Sequence, residues 1–244
     1  MGGITNPSFA STCLELGAGK VSIGGYPVGI EMVRSCHQMI KRGRREFVLP
    51  VGEEAESIVE KIEPLQRNIN PNELIINLRI SNLTDAQRFA RVFSTLIGAR
   101  PIIEVNVHCR QPEVTNTGGG QALLQRNEVL RQIIETFHRK DFLVSLKFRG
   151  NAVSAEKFLP MVNLLPLDFL HIDSYHIGEI GTDLSLLRSY SQATMIPIIG
   201  NNSIVDRRSA LAALNTGARY FSLARAAEKN PVIFQSLRNV SRHD

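Results

Sequence analysis

Glu104-Val-Asn-Val-His-Cys-Arg-Gln-Pro-Glu-Val114, with Gly118-Gly119-Gly120 close behind it, is the stretch on which the fold reading turns. It sets a cysteine just past an apolar strand pattern, Ile102 to Val107, where the βα loop of a parallel barrel carries its reacting groups. His108 and Arg110 flank Cys109, and the glycine run lets backbone come close to a ligand. Two readings of Cys109 follow: inert packing, or a reactive thiol in an electropositive, partly exposed setting.

On either side of this stretch, short apolar runs alternate with helical periodicity, the pattern of βα units around a parallel sheet. Strands are expected at Lys20-Gly24, Leu74-Leu78, Ile102-Val107, Val144-Phe148, Leu167-Asp173, Ile196-Gly200 and Tyr220-Leu223. Helices are expected at Pro7-Leu16, Val28-Lys41, Glu53-Gln66, Asp85-Ile97, Gln125-His138, Ala155-Leu164, Asp183-Ser191, Asp206-Thr216 and Pro231-Val240. The spacing is that of an α/β TIM (β/α)8 barrel whose first strand is shortened, because Met1-Gly-Gly-Ile-Thr-Asn6 already reads as a loop leaving a strand. A doubly wound open sheet is the alternative, but no GxGxxG turn follows an early strand.

The chain of 244 residues, 43% of them hydrophobic, can bury one large core, and no linker or repeat divides it, so residues 1–244 read as a single domain. Cys13, Cys36 and Cys109 are odd in number and lack CxxC spacing, which points away from a disulfide framework or a zinc site and toward a reducing cytoplasm. Neither a signal peptide nor an apolar run of about eighteen residues is present, so no membrane role is expected. The net charge is +5, concentrated in part at Lys41-Arg42-Gly43-Arg44-Arg45. That segment reads either as a solvated helix end or as a phosphate-contacting patch for RNA.

Polar groups gather at the carboxyl ends of the expected strands: Asn77 and Arg79, Asn106 and Cys109, Lys147 and Arg149, Asp173 and His176, Asn201 and Asn202, and Arg225. Lys147 interrupts the β pattern Val-Ser-Leu-Lys-Phe-Arg, and a buried ammonium needs an anionic or electron-rich partner, either a ligand or a neighbour such as Asp173. Ile196-Pro-Ile-Ile-Gly-Asn-Asn202 and Tyr220-Phe-Ser-Leu-Ala-Arg-Ala-Ala227 end the last two strands. Paired loops of this kind bind a phosphate dianion in many barrels.

With those residues in view, the chain resembles the tRNA-dihydrouridine synthase family of FMN-dependent TIM barrels. Met1 to Asn6 is similar to that family's Met-Ala-Gly-Val-Thr-Asp opening, and Asn106 to Val114 to its Asn-x-Gly-Cys-Pro-x-x-x-Val loop. Gly118 to Leu124, Val144 to Arg149, Ile196 to Asn202 and Ser222 to Phe234 resemble further family segments. The resemblance implies FMN held by Asn77, Asn106, Lys147, Asp173, Gly200, Asn201, Asn202, Ala224 and Arg225, with NADPH or NADH as reductant. It implies hydride transfer from flavin N5 to a uridine C5=C6 bond, with Cys109 as proton donor. His108, Arg110, Arg149 and His176 would then face the substrate.

The sequence also departs from the family. His108 and Arg110 replace a glycine and a proline, Asn77 a glutamine, and Asp173 a histidine; Asn202 and Ala224 replace phosphate-loop glycines. The expected architecture lacks the family's C-terminal helical domain, as in a divergent, barrel-only branch such as the archaeal synthase-related group. Three functions stay open: an FMN enzyme acting on tRNA, an FMN oxidoreductase acting on a small pyrimidine or other unsaturated metabolite, and a non-catalytic barrel that binds a phosphate ligand or a protein partner. A homodimer through the edge beside Lys20-Gly24 is a further expectation.

Overall fold

Strand β2, Leu74–Arg79, is buried at every position, as a parallel strand covered on both faces must be. It lies in a parallel sheet whose strands follow chain order: β1 (Val21–Pro27), β2, β3 (Ile102–Asn106), β4 (Val144–Arg149), β5 (Phe169–Asp173), β6 (Ile198–Asn201) and β7 (Tyr220–Ser222). The protein is described by a computed structural model that covers residues 6–42, 48–66, 69–176, 178, 181–238 and 240–241. Among the described residues these seven strands form one curled sheet. The fold is α/β with barrel-like curvature, and the expected eight-stranded closure is not formed within those residues. Met1–Thr5, on which the shortened-first-strand reading rests, and Gly43, Arg44 and Arg45 of the basic run lie outside the described residues.

Helices join the strands, and their ends are written in the sequence. Asn6 caps α1 (Pro7–Glu15) by accepting from the Phe9 N–H at 2.8 Å, with Pro7 in the first turn, where its missing N–H costs nothing. Asn82 caps α4 (Leu83–Leu96), and Asp206 with Ser209 forms a reciprocal box at the start of α9 (Arg207–Leu214). The expected helix from Val28 to Lys41 divides into α2 (Ile30–His37) and a 3-10 turn, Gln38–Arg42. The remaining early helices are α3 (Glu54–Gln66), the short α5 (Pro112–Thr115) and α6 (Asn127–His138). After them come α7 (Ala155–Val162), α8 (Leu184–Ala193), α10 (Arg225–Lys229) and α11 (Ile233–Leu237). Short runs at Pro112 and Arg225 carry too little periodicity to read as helices from sequence.

One continuous apolar core fills the space between helices and sheet. Phe89 and Phe93 stack at 5.0 Å, and Phe137 and Phe142 pack edge-on, tying α4 and α6 to the sheet. Phe148 contacts Phe158 and Tyr190 in the same edge-on manner on the next face. None of the described helices is long and apolar enough to cross a membrane.

The outer edges of β1 and β7 have no strand partner among the described residues. A cavity of about 900 Å³ lies between them, lined by Phe9 and Cys13 of α1, Ser22, Phe169, Tyr220 and Leu237, among others. His171 and Ser222 also line it.

Candidate active site

Alternate residues of a strand share a face, so Asn77, Glu104, Asn106, Ser145, Lys147, Arg149, His171 and Asp173 project to the concave side of the sheet. The hydrogen bonds show that they meet there. Glu104, fully buried, accepts from Asn77 Nδ2 at 2.6 Å, from His171 Nδ1 at 2.6 Å and from Ser145 Oγ at 3.3 Å, and lies 3.9 Å from Lys147 Nζ. His171 Nε2 is 2.8 Å from Ser222 Oγ, and Lys147 Nζ sits 3.4 Å from both ring nitrogens.

Electrostatics separates the members of this cluster. Burial alone would raise the Glu104 pKa, but His171, Lys147 and the hydrogen bonds from His171 and Asn77 hold it well below the usual carboxylate range. Burial, helped by the Lys147 charge, pushes His171 down to about 4, so the imidazole is neutral near pH 7. A neutral ring that donates from Nδ1 to Glu104 must accept at Nε2, which makes Ser222 the donor there. Lys147 therefore pairs with Glu104, not with Asp173, the neighbour suggested by sequence: the lysine sits two residues deeper in the sheet's concave face than Arg149, which is the side chain 3.9 Å from Asp173.

A second network holds the cysteine loop. Asn106 Oδ1 accepts from the N–H groups of His108 at 3.0 Å and Cys109 at 3.1 Å, while its Nδ2 donates to Asn77 Oδ1 at 2.7 Å. A chain of amide contacts thus runs from the Cys109 backbone through Asn106 and Asn77 to Glu104. His108 donates from Nε2 to Asp173 at 2.5 Å. Burial lowers the His108 pKa against the pull of Asp173; the Asp173 pKa falls because the His108 contact and Arg149 outweigh burial.

Cys109 itself is 8% exposed and lies in a sulfur-rich cluster with Met32, Cys36 and Met39, a more enclosed setting than the reactive-thiol reading expects. Its Sγ contacts Gln111 Oε1 at 3.3 Å, and Arg110 is exposed beside it. Within the glycine run Gly120, at φ +55°, brings backbone against the Cys109 carbonyl, which accepts from the Gln121 N–H at 2.8 Å. Cys13 and Cys36 are buried on α1 and α2, and burial raises both thiols.

The other expected residues fall as follows. Arg149 keeps a buried Nε with no hydrogen-bond partner. Gly200 faces α8, where a Cβ would press on Leu187 Cδ2 at 2.8 Å, so its small size serves helix packing. Asn201 is buried at the end of β6; Asn202 and Ser203 follow with positive φ of 106° and 52°. Ala224 is buried just before α10, and Arg225 is exposed at its first turn. His176 is half-buried beyond β5. Glu104, His171 and Ser222 were missed, although Glu104 and His171 break apolar strand patterns as plainly as Lys147 does. Among the described residues no group of three or more His, Cys, Asp or Glu side chains is placed to hold a metal ion.

No protein-family model matches the chain. Its sequence is 26% identical over 253 aligned residues to tRNA-dihydrouridine synthase B of Pectobacterium carotovorum, covering 98% of this chain and 70% of that protein. Against the Escherichia coli K12 protein of the same name identity is 27% over 255 residues, with the same coverage. Among solved structures it resembles ligand-free DHODH from Eimeria tenella (TM-score 0.58, 13% identity, 76% of this chain) and a FabK variant from Thermotoga maritima (0.52, 16%, 93%). The chain spans 65% and 60% of those two proteins, and the likeness is one of fold. The uncharacterized protein MJ0144 of Methanocaldococcus jannaschii is 30% identical over 208 residues, covering 84% of this chain and 78% of that one. The chain therefore belongs to the family of MJ0144 and is a more distant homologue of tRNA-dihydrouridine synthase B.

Proposed function

We propose that the protein is an FMN-dependent oxidoreductase that reduces the C5=C6 bond of a uridine in tRNA, with Cys109 as the proton donor. The observation that carries this reading is the convergence, on one concave face, of the Lys147 ammonium, the Asn77 and Asn106 amides and the Cys109 loop. The homology to tRNA-dihydrouridine synthase B supports it.

The residues fit a flat, carbonyl-rich and anionic group. Arg149 Nε is buried with no partner, a costly state that an acceptor on a ligand would relieve. The consecutive positive φ values at Asn202 and Ser203 turn backbone at the end of β6, where a phosphate would be gripped with Asn201 and the Ala224–Arg225 turn. When bound, FMN supplies two-electron reducing chemistry, replenished by NADPH or NADH. Lys147 would bind and polarise its carbonyl-bearing edge.

The protein's own part is proton delivery and positioning. Asn106 fixes the loop through two backbone N–H groups, so the Cys109 thiol is held in place and can protonate the carbon adjacent to the one reduced. Burial of Cys109, Asn106 and Lys147 would limit the water able to compete for that role. Asp173 orients His108 through its Nε2–H while burial keeps the ring neutral, and exposed Arg110 and Arg225 are suited to phosphate contacts.

Mass-spectrometric comparison of tRNA dihydrouridine in cells with and without the protein tests the substrate. Loss of dihydrouridine at a tRNA position in the deletion, restored by wild type but not by Cys109→Ala, is the expected result. Unchanged tRNA, with purified protein reducing a free pyrimidine, would replace tRNA by a small-molecule substrate. Purified protein that neither carries FMN nor quenches added FMN at micromolar concentration overturns the flavoenzyme reading.

A further inference from the structure

We propose that Glu104 is the positioning residue of this interior: its carboxylate fixes the Lys147 ammonium and the Nδ1–H tautomer of His171, and thereby sets how strongly Lys147 draws electron density from a bound flavin. The electronic half of this statement rests on the flavin reading above.

A buried ammonium and a buried carboxylate are each costly to desolvate, and they coexist here because they face one another at 3.9 Å. Both oxygens of Glu104 are committed, Oε1 to Asn77 and Oε2 to His171 and Ser145, so the carboxylate cannot turn toward or away from the lysine. The interior cluster of Glu104, Lys147 and neutral His171 then carries no net charge. Lys147 acts through a compensated field, and the compensation lies on the side away from the strand ends.

The tautomer follows from the same carboxylate. Nδ1 lies 2.6 Å from an ionised oxygen, which can only accept. Ser222 at Nε2 is indifferent, since a hydroxyl donates or accepts as required. Glu104 dictates and Ser222 adapts. The amide chain from Glu104 through Asn77 and Asn106 also ends on the Cys109 N–H, so one carboxylate anchors the lysine and braces the cysteine loop.

Two measurements test this, one of them free of cofactor. Nitrogen-15 NMR of the histidine rings in the protein without FMN should show His171 as the neutral Nδ1–H tautomer near pH 7, unchanged in Ser222→Ala. In Glu104→Gln the ring should shift toward Nε2–H, because Asn77 and His171 donate to different oxygens of Glu104 and glutamine puts an NH2 donor in place of one of them. With FMN bound, Glu104→Gln should raise the flavin potential, favouring the reduced form by about tenfold, ~30 mV for a two-electron couple. Lys147→Met should lower the potential. An Nε2–H ring in wild type, a tautomer that follows Ser222, or an FMN potential that Glu104→Gln leaves unchanged or lowers would overturn the proposal. If the protein takes no FMN, the flavin reading and the electronic half fall together, and the ring tautomers decide the rest. If Glu104→Gln does not fold, the wild-type and Ser222→Ala spectra still decide whether the carboxylate or the hydroxyl sets the tautomer.

Discussion

The concave face between β2 and β5 and the seam between β1 and β7 belong to one sheet and are built on opposite principles. On the first, every strand is paired on both sides and the projecting side chains are two amides, a serine, a lysine, an arginine, two carboxylates and a histidine, almost all hydrogen-bonded. At the second, the described strands end in open edges around a 900 Å³ cavity walled largely by apolar and aromatic residues, and Ser22 Oγ is buried there without a partner. Polar groups are expensive to bury and are retained where they act on something, whereas apolar walls tolerate a void at modest cost. The polar face is therefore the one suited to chemistry, and the seam the one more loosely packed.

Cys109→Ala should separate the two regions most. Product formation should fall by roughly two to four orders of magnitude, the usual contribution of a positioned general acid, while FMN stays bound and reducible by the nicotinamide donor. Cys13→Ala, on the wall of the seam cavity, should leave turnover almost unchanged. Full turnover in Cys109→Ala would make the cysteine loop scaffold only.

Packing should divide the same way. Phe148 is fully buried against Phe158 and Tyr190, so Phe148→Ala should cost about 3–5 kcal/mol in urea unfolding. Phe169 already borders the cavity, and Phe169→Ala should cost about half as much or less. Equal losses would mean that the cavity is filled in solution.

Acid stability probes the polar face. His171, with a folded pKa of about 4, binds protons more readily when unfolded, so the protein loses stability as pH falls from about 6.5 toward 4, by on the order of 2–3 kcal/mol. Glu104, whose folded pKa is depressed, adds a further loss as pH falls through the usual carboxylate range and below it. In His171→Gln the loss between pH 6.5 and 4 should shrink to what His108 and the depressed carboxylates contribute; an unchanged slope would mean that His171 is not buried neutral.

The smallest expected effect lies at the seam. Ser22→Val removes a hydroxyl that has no partner and adds apolar volume at the cavity wall, so it should be neutral or stabilising by up to ~1 kcal/mol in Tm-derived stability. Ser145→Val, which strips a donor from Glu104, should destabilise instead. If both substitutions act alike, the two regions do not differ in polar satisfaction.

The αβ alternation, all seven strands to within a few residues, and the cysteine loop at a strand end are legible in the amino-acid order, because period, capping residues and strand-end polar groups are local signals. Asn6, Asn82 and Asp206 mark helix starts regardless of what the helices pack on. Which charges meet is settled only in three dimensions. Lys147 is 43 residues from Glu104 in the chain, and His171 is 67 from it, yet β3, β4 and β5 lie side by side with these residues on one face. The assembled fold also pairs His108 with Asp173, buries Cys109 among methionines, and brings Gly120 against the Cys109 carbonyl. A charged residue in a strand announces from sequence that it needs a partner. The partner's name depends on strand order, register and curl, which arise only when the whole sheet is assembled.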